Sequence, residues 1–190
     1  MSLPHAILGF LREEALTGYD LKKRFDRSLR HFWPADRAQI YRTLSALAQE
    51  GWVVVEGVPQ EGKPDQRVHH ITAAGLAELG RWLAQPLPIA EVREATLIQI
   101  YFADVVGDQA AQKMLEAQRD ERVAQLAELE RLRAELDAAL GAVRRPPRTK
   151  FFRRLTLEHG IAMVQAEVQW LSEAVVRLEA LRRNRWKEGA

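Results

Sequence analysis

Between residues 36 and 58 the apolar pattern changes its period, and few folds accommodate that change. Ile40, Leu44 and Leu47 recur at intervals of four and three, the spacing of one helix face. Gly51 stops the helix, and Trp52-Val53-Val54-Val55 reads as a strand. A second β-rich stretch, 66–71, follows Gly57, Pro59, Gly62 and Pro64, which predicts a hairpin with a long tip. Upstream, residues 3–14 carry a broad apolar face. Thr17 and Asp20 then open a helix that stacks Leu21, Phe25 and Leu29, and Asp36 caps the helix that ends near Glu50. Thr72 caps a further helix. The order helix, helix, helix, hairpin, helix within residues 1–84 is that of a winged helix-turn-helix with a β-hairpin wing, whose third helix enters a DNA major groove.

What the third helix displays fits a polyanion. With Ile40, Leu44 and Leu47 inward, the opposite face carries Ala38, Arg42, Ser45 and Gln49, flanked by Gln39 and Tyr41. Arg and Gln read guanine and adenine edges bidentately, and Tyr and Ser hydrogen-bond phosphate. Gln39 has a second use, since it can complete a capping box with Asp36; the lesser alternative for Arg42 is a plain surface charge. The whole chain carries only +2, but residues 20–45 hold seven cations, Arg37 among them, against three aspartates.

Residues 85–94, with Pro86 and Pro88, read as a linker, and 95–190 as an all-α helical domain. A short helix is expected over 95–106 and a long one over 109–142, its apolar arc interrupted by Gln118 and Arg122. The last helix holds a heptad seam, Leu157, Ile161, Val164, Val168, Leu171, Val175 and Leu178, spaced 4-3-4-3-4-3. Its partner is either the 109–142 helix of the same chain or a second subunit. The expectation adopted is a mixture, with Ile161, Val164, Val168, Leu171, Val175 and Leu178 serving dimerisation. Trp170 lies beside the seam, where it packs on a neighbouring helix or walls a flat ligand.

Other functions find little footing. There are no cysteines, which removes thiol chemistry and disulfides and fits a reducing cytoplasm. No apolar run reaches the ~20 residues of a membrane span. Phosphate-loop and zinc-protease spacings are absent, so no enzyme, cofactor or metal site is expected. Adjacent strand residues face opposite ways, so His69-His70 is no chelate; one ring is expected packed and the other exposed. Glu158-His159 alone makes no site. The rival reading is a helical adaptor that offers the basic runs 144–154 and 182–187 to an acidic protein partner.

The segments "ILGFLREEALTGYDLKKRF", "FWPADRAQIYRTLSALAQEGWV" and "RVHHITAAGLAEL" resemble the N-terminal domain of the PadR family of bacterial transcriptional regulators. The shared features are Leu8-Gly9, Gly18 to Leu21, Gln39 to Leu47, Glu50-Gly51 and Ile71 to Gly75. "FFRRLTLEHGIAMVQAEVQWLSEAVVRL" is similar to the virulence-activator-type C-terminal domain of the longer members. The resemblance implies a homodimer on palindromic double-stranded DNA, usually a repressor, which in many members is released by a small hydrophobic or phenolic effector. Carried onto this chain, it puts Gln39, Tyr41 and Arg42 on the recognition helix, Tyr19 near phosphate, and Lys63 and Arg67 on the wing. With that effector implied by the resemblance, the aromatics Trp33 and Trp170 and the apolar helix over 95–106 are the expected pocket. One departure is His69-His70, where the family often carries tyrosine.

Overall fold

The structure, a computed structural model, describes residues 2–59, 62, 65–88, 93–140 and 148–188, with the side chains of 139, 140 and 184–188 left aside. It has two compact units, Met1–Ala90 and Glu91–Ala190.

The first unit runs α1 (Leu3–Leu11), β1 (Leu16–Thr17), α2 (Gly18–Ser28), α3 (Arg37–Gln49), β2 (Val53–Val58), β3 (Gln66–Ile71) and α4 (Ala73–Leu83). Caps fall where the sequence places them. Thr17 Oγ1 accepts from the Asp20 amide at 3.1 Å, and Asp36 accepts from the Gln39 amide at 2.7 Å. Thr72 Oγ1 accepts from the Gly75 amide at 3.0 Å. Each such cap is worth about 1 kcal/mol. Gly51 leaves α3 with φ +71, a left-handed conformation that glycine adopts without Cβ strain. Ile7, Leu8, Leu21, Phe25, Ile40 and Leu44 form the centre of a core on which the α1, α2 and α3 faces converge. Phe10 meets Phe25 edge-on at 5.5 Å.

Two local expectations need correction. Helix α1 stops at Leu11, short of residue 14, because Glu13 and Glu14 turn to the Arg24 guanidinium and Leu16–Thr17 pairs with β3. The wing is accordingly part of a three-stranded antiparallel sheet, ordered β1-β3-β2. A two-residue strand has too little length to show a period.

The histidine pair divides as expected. His69 is buried, with Nδ1 3.2 Å from the Leu16 carbonyl oxygen, whereas His70 is part-exposed with Nε2 2.8 Å from Glu56. Burial pushes the His69 pKa below its ordinary value, opposed in part by the Leu16 hydrogen bond; burial does the same to His31. A proton therefore binds the unfolded chain more readily than the folded one. The stabilisation from neutral His69 is complete above pH ~6.5 and is lost as pH falls through the lower folded value. The urea midpoint should drop between pH 7.5 and 5.5, and His69→Gln should remove part of that drop. An identical pH dependence in the variant would count against this assignment.

The second unit runs α5 (Ala95–Tyr101), a 3-10 turn (Ala103–Val105), α6 (Asp108–Leu140) and α7 (Arg148–Glu188). The single helix expected over 95–106 breaks at Phe102, where β-branched Val105 and Val106 ahead disfavour continuation. Helices α6 and α7 pair antiparallel. Leu129 packs with Leu157, Ile161 and Val164 in one cluster, and Leu115 with Leu171 and Val175 in another. This corrects the assignment of the seam to dimerisation. Ile161, Val164, Leu171 and Val175 are buried, and Val168 and Leu178 partly so, within the chain's own hairpin. The leucine-rich stripe of α6 offers the matching apolar surface.

Candidate nucleic-acid interface

Helix α3 is held from beneath by Ile40, Leu44 and Leu47, each at most 2% exposed, so its outer face is presented on a rigid support. Arg42 stands exposed in the middle of that face and makes no ion pair. Arg37, a turn earlier, lies with its guanidinium 5.6 Å from the centre of the Tyr41 ring. Tyr41 has a structural role that the sequence did not disclose. A Cβ at residue 18 would sit 2.7 Å from its Cζ, so Gly18 is the seat that lets the ring close against the start of α2. The spaced pair Gly18 and Tyr41 thereby fixes α2 against α3. Tyr19, the next residue, is 61% exposed in the first turn of α2, where free amides favour an anion.

Two expected contacts are already engaged. Gln39 Oε1 accepts from the Asp36 amide at 2.9 Å and closes the capping box. Bidentate adenine readout needs that oxygen together with the amide donor, so Gln39 acts here as a cap. The Ser45 hydroxyl donates to the Tyr41 carbonyl at 3.1 Å, a back-bond that uses its one proton. Reaching phosphate as a donor would require breaking it.

Ion pairs also trim the basic patch. Lys22 is paired with Asp26, and Arg24 is clamped by Glu13 and Glu14 while its guanidinium lies 5.3 Å from the Phe10 ring centre. Arg24 thus ties the turn after α1 to α2. Among the described residues of this patch Lys23, Arg27, Arg30, Arg37 and Arg42 remain exposed and without ion pairs. On the wing Arg67 is exposed, opposite Gly57 in the β2–β3 register; Lys63 lies outside the described residues.

Trp33 precedes α3 in the first unit and Trp170 lies on α7 in the second, 38% and 41% exposed. Burying the seam leaves another apolar stripe on α7: Phe152, Leu155, Met163 and Trp170 share one arc at 100° per residue, and all are exposed. The segment after the linker adds exposed Ile98, Tyr101, Phe102 and Val105. Glu158 is paired with Arg154. Among the described residues no three His, Asp or Glu are grouped to hold a metal, and no helix is long and apolar enough to cross a membrane.

The sequence matches the Transcriptional regulator PadR-like family over residues 7–81 and the Virulence activator alpha C-term family over residues 92–179. A probable transcriptional regulator of Mycobacterium tuberculosis is 36% identical over 96% of this chain and 100% of its own. The negative transcriptional regulator PadR of Bacillus subtilis is 34% identical over 67% of this chain and 71% of its own. Its crystal structure in complex with operator DNA superposes with TM-score 0.80, at 29% identity, over 94% of this chain and 99% of that one. Its complex with p-coumaric acid does so with TM-score 0.75, at 27% identity, over 93% and 95%. The Vibrio cholerae virulence activator AphA gives TM-score 0.73 and 31% identity over 95% and 99%.

Proposed function

The chain belongs to the PadR-like family of transcriptional regulators, and from that premise we propose that it binds a palindromic operator as a homodimer, as a repressor released by a small hydrophobic or phenolic effector. The observation that carries the DNA reading is the outer face of α3. It holds an exposed, unpaired Arg42 on a capped and well-supported helix, beside a wing that offers Arg67. The Bacillus subtilis relative crystallised on operator DNA supports the ligand class, and the complex of that same relative with p-coumaric acid supports the effector class. No reaction is part of this reading. An adaptor for an acidic protein is disfavoured, since Arg154 in the basic run is already shared by Asp137 and Glu158.

Within this proposal Arg42 reads a base edge, while Tyr19, Arg37 and Arg67 position the protein on phosphates. The two groups fail differently. Arg42→Ala should cost about 1–3 kcal/mol per half-site and flatten the preference at one operator position. Arg67→Ala should weaken binding to every sequence and reduce the log–log salt slope by about one unit per contact, hence about two for a dimer. The measurement is affinity for an operator and its point variants at several salt concentrations. Equal losses on all sequences from both variants would remove α3 as the reader.

The dimer face we propose is the exposed α7 stripe together with the apolar segment 97–106. Trp170 belongs to this stripe; Trp33, in the other unit, is retained only as a second candidate for the effector.

A further inference from the structure

On the outer face of α3 two side chains present opposite hydrogen-bonding senses. Arg42 is exposed and has no ion pair, and a guanidinium can only donate. Ser45 lies one turn further on and is also exposed. A serine hydroxyl is ordinarily donor and acceptor at once, but here its one proton is committed to the Tyr41 carbonyl at 3.1 Å. Ser45 therefore turns outward oxygen lone pairs and no proton. The carbonyl that holds it is itself well supported: its neighbour Ile40 is fully buried, and the Tyr41 ring closes over Gly18.

That sense decides what Ser45 can face. Phosphate oxygens only accept, so a hydroxyl with no free proton would meet them lone pair to lone pair, and the backbone contact that serine commonly makes is closed to it. The donors that a duplex offers in its major groove are the exocyclic amino groups, adenine N6 and cytosine N4; guanine and thymine present oxygen at the same place. Serine is short, so such a contact needs the helix backbone close to the base edges. The face allows that approach, because Ala46 beside Ser45 and Ala38 two turns earlier are exposed and carry nothing beyond Cβ. Gln39 does not compete for the amine, since its oxygen already accepts from the Asp36 amide. Gln49, exposed a turn beyond Ser45, keeps both senses and is the natural control.

We propose that Ser45 is a specificity-determining residue that separates amino from keto bases on one strand of each half-site, accepting from adenine N6 or cytosine N4 close to the base that Arg42 reads. This rests on the operator reading above and adds a second reader to it, with a defined chemical sense. A freely rotating serine accepts from an amino base or donates to a keto one and so distinguishes neither. The back-bonded Ser45 has lost that ambiguity. Its code is degenerate in a definite way: adenine and cytosine are equivalent to it, and guanine and thymine are both rejected. Arg42, by contrast, singles out guanine.

The test uses the full chain and a duplex that it selects from a randomised pool, with every single-base-pair variant placed symmetrically in both half-sites. The parent should show a position, within about two base pairs of the one that Arg42 governs, where adenine and cytosine on one strand are preferred to guanine and thymine. The preference should be about two- to tenfold per half-site, the worth of one neutral hydrogen bond. Ser45→Ala should level the four bases there and leave the Arg42 position untouched, and Arg42→Ala should do the reverse. Alanine suits an exposed helix position, so the melting temperature of Ser45→Ala should not fall. Gln49→Ala should keep the amino–keto preference. Replacing the selected adenine or cytosine by its analogue without the exocyclic amine should weaken the parent by the same factor more than it weakens Ser45→Ala, and shows which amine is bound. A preference for guanine and thymine at that position would mean that Ser45 donates, and overturns the proposal. So does a Ser45→Ala protein that loses affinity equally on every sequence, the mark of a phosphate contact. If the parent selects an operator and Ser45→Ala shares its whole profile, the operator reading stands and the role of Ser45 is overturned. If the parent binds duplexes without preference, the operator reading fails and Ser45 falls with it.

Discussion

Substituting Leu155 and Met163 together with glutamate should leave a folded monomer that has lost most of its operator affinity. Both residues lie on the α7 stripe that faces away from α6, and both are exposed in the protomer, so the hairpin does not depend on them. In a symmetric dimer each substitution appears twice, which would place four carboxylates in an apolar interface at a cost of several kcal/mol. A monomer grips one half-site at a time and forfeits the high effective concentration of the second DNA-binding unit. Operator affinity should therefore fall about 10²- to 10⁴-fold. Val164→Glu is the contrasting control. Val164 is buried between α6 and α7, so a charge there should unfold the second unit as well as abolish binding. Sedimentation reports the oligomer, circular dichroism the helix content, and a fluorescent operator the affinity. A double variant that still sediments as a dimer would show that the face is wrong. If the parent itself is a monomer at micromolar concentration, the dimer reading falls with it.

Gly75→Ala and Gly80→Ala, two identical substitutions on one helix, should change stability in opposite directions. A Cβ at Gly75 would lie 2.2 Å from the Trp52 carbonyl oxygen and 3.0 Å from Ile71 Cγ1. The oxygen is backbone, and it is pinned because it accepts the Thr72 amide at 3.0 Å. The Gly75 amide in turn supplies the bond that caps α4. Neither side can yield without breaking the joint between the sheet and α4. The expected loss is about 1–3 kcal/mol for overpacking, plus about 1 kcal/mol if the cap opens. Gly80, one turn on, has nothing within 4 Å of its Cβ position, and alanine there should add about 0.5–1 kcal/mol of helix stability. Urea midpoints of the two variants and the parent decide the matter. Equal shifts would mean that α4 does not dock as described.

That joint also bears on the orientation of α4 against α1, which carries a second polar anchor. His5 stacks on Trp82 at 4.5 Å with its Nε2 2.9 Å from Glu78 Oε1. Hydrogen bonds from Arg81 first, and then from His5, hold the Glu78 carboxyl down at about 2, so it stays ionised throughout the range in which the protein would be assayed.

Residue periods and local capping chemistry were enough to place most elements. The Ile40, Leu44 and Leu47 spacing, the Thr17, Asp36 and Thr72 caps, and the heptad run from Leu157 to Leu178 are each set within a few turns of chain, and each appears where the pattern puts it. A periodic stripe states which side of a helix must be buried, because helix geometry alone aligns those residues. It does not state what buries them. The α7 stripe would suit a second subunit as well as it suits α6, and only the pairing of Leu115 and Leu129 with it, more than 25 residues away in the chain, decided the matter. The two-residue β1 strand, the early end of α1 and the seat of Tyr41 on Gly18 are of the same kind: contacts between distant segments that leave no local period. The remaining surprises are choices between competing partners. Gln39 bonds the Asp36 amide, Ser45 the Tyr41 carbonyl, and Glu94 reaches Arg122 while leaving α5 uncapped. Each side chain has several chemically acceptable partners, and a hydrogen bond is won or lost over a few tenths of an ångström, so only the folded backbone selects among them.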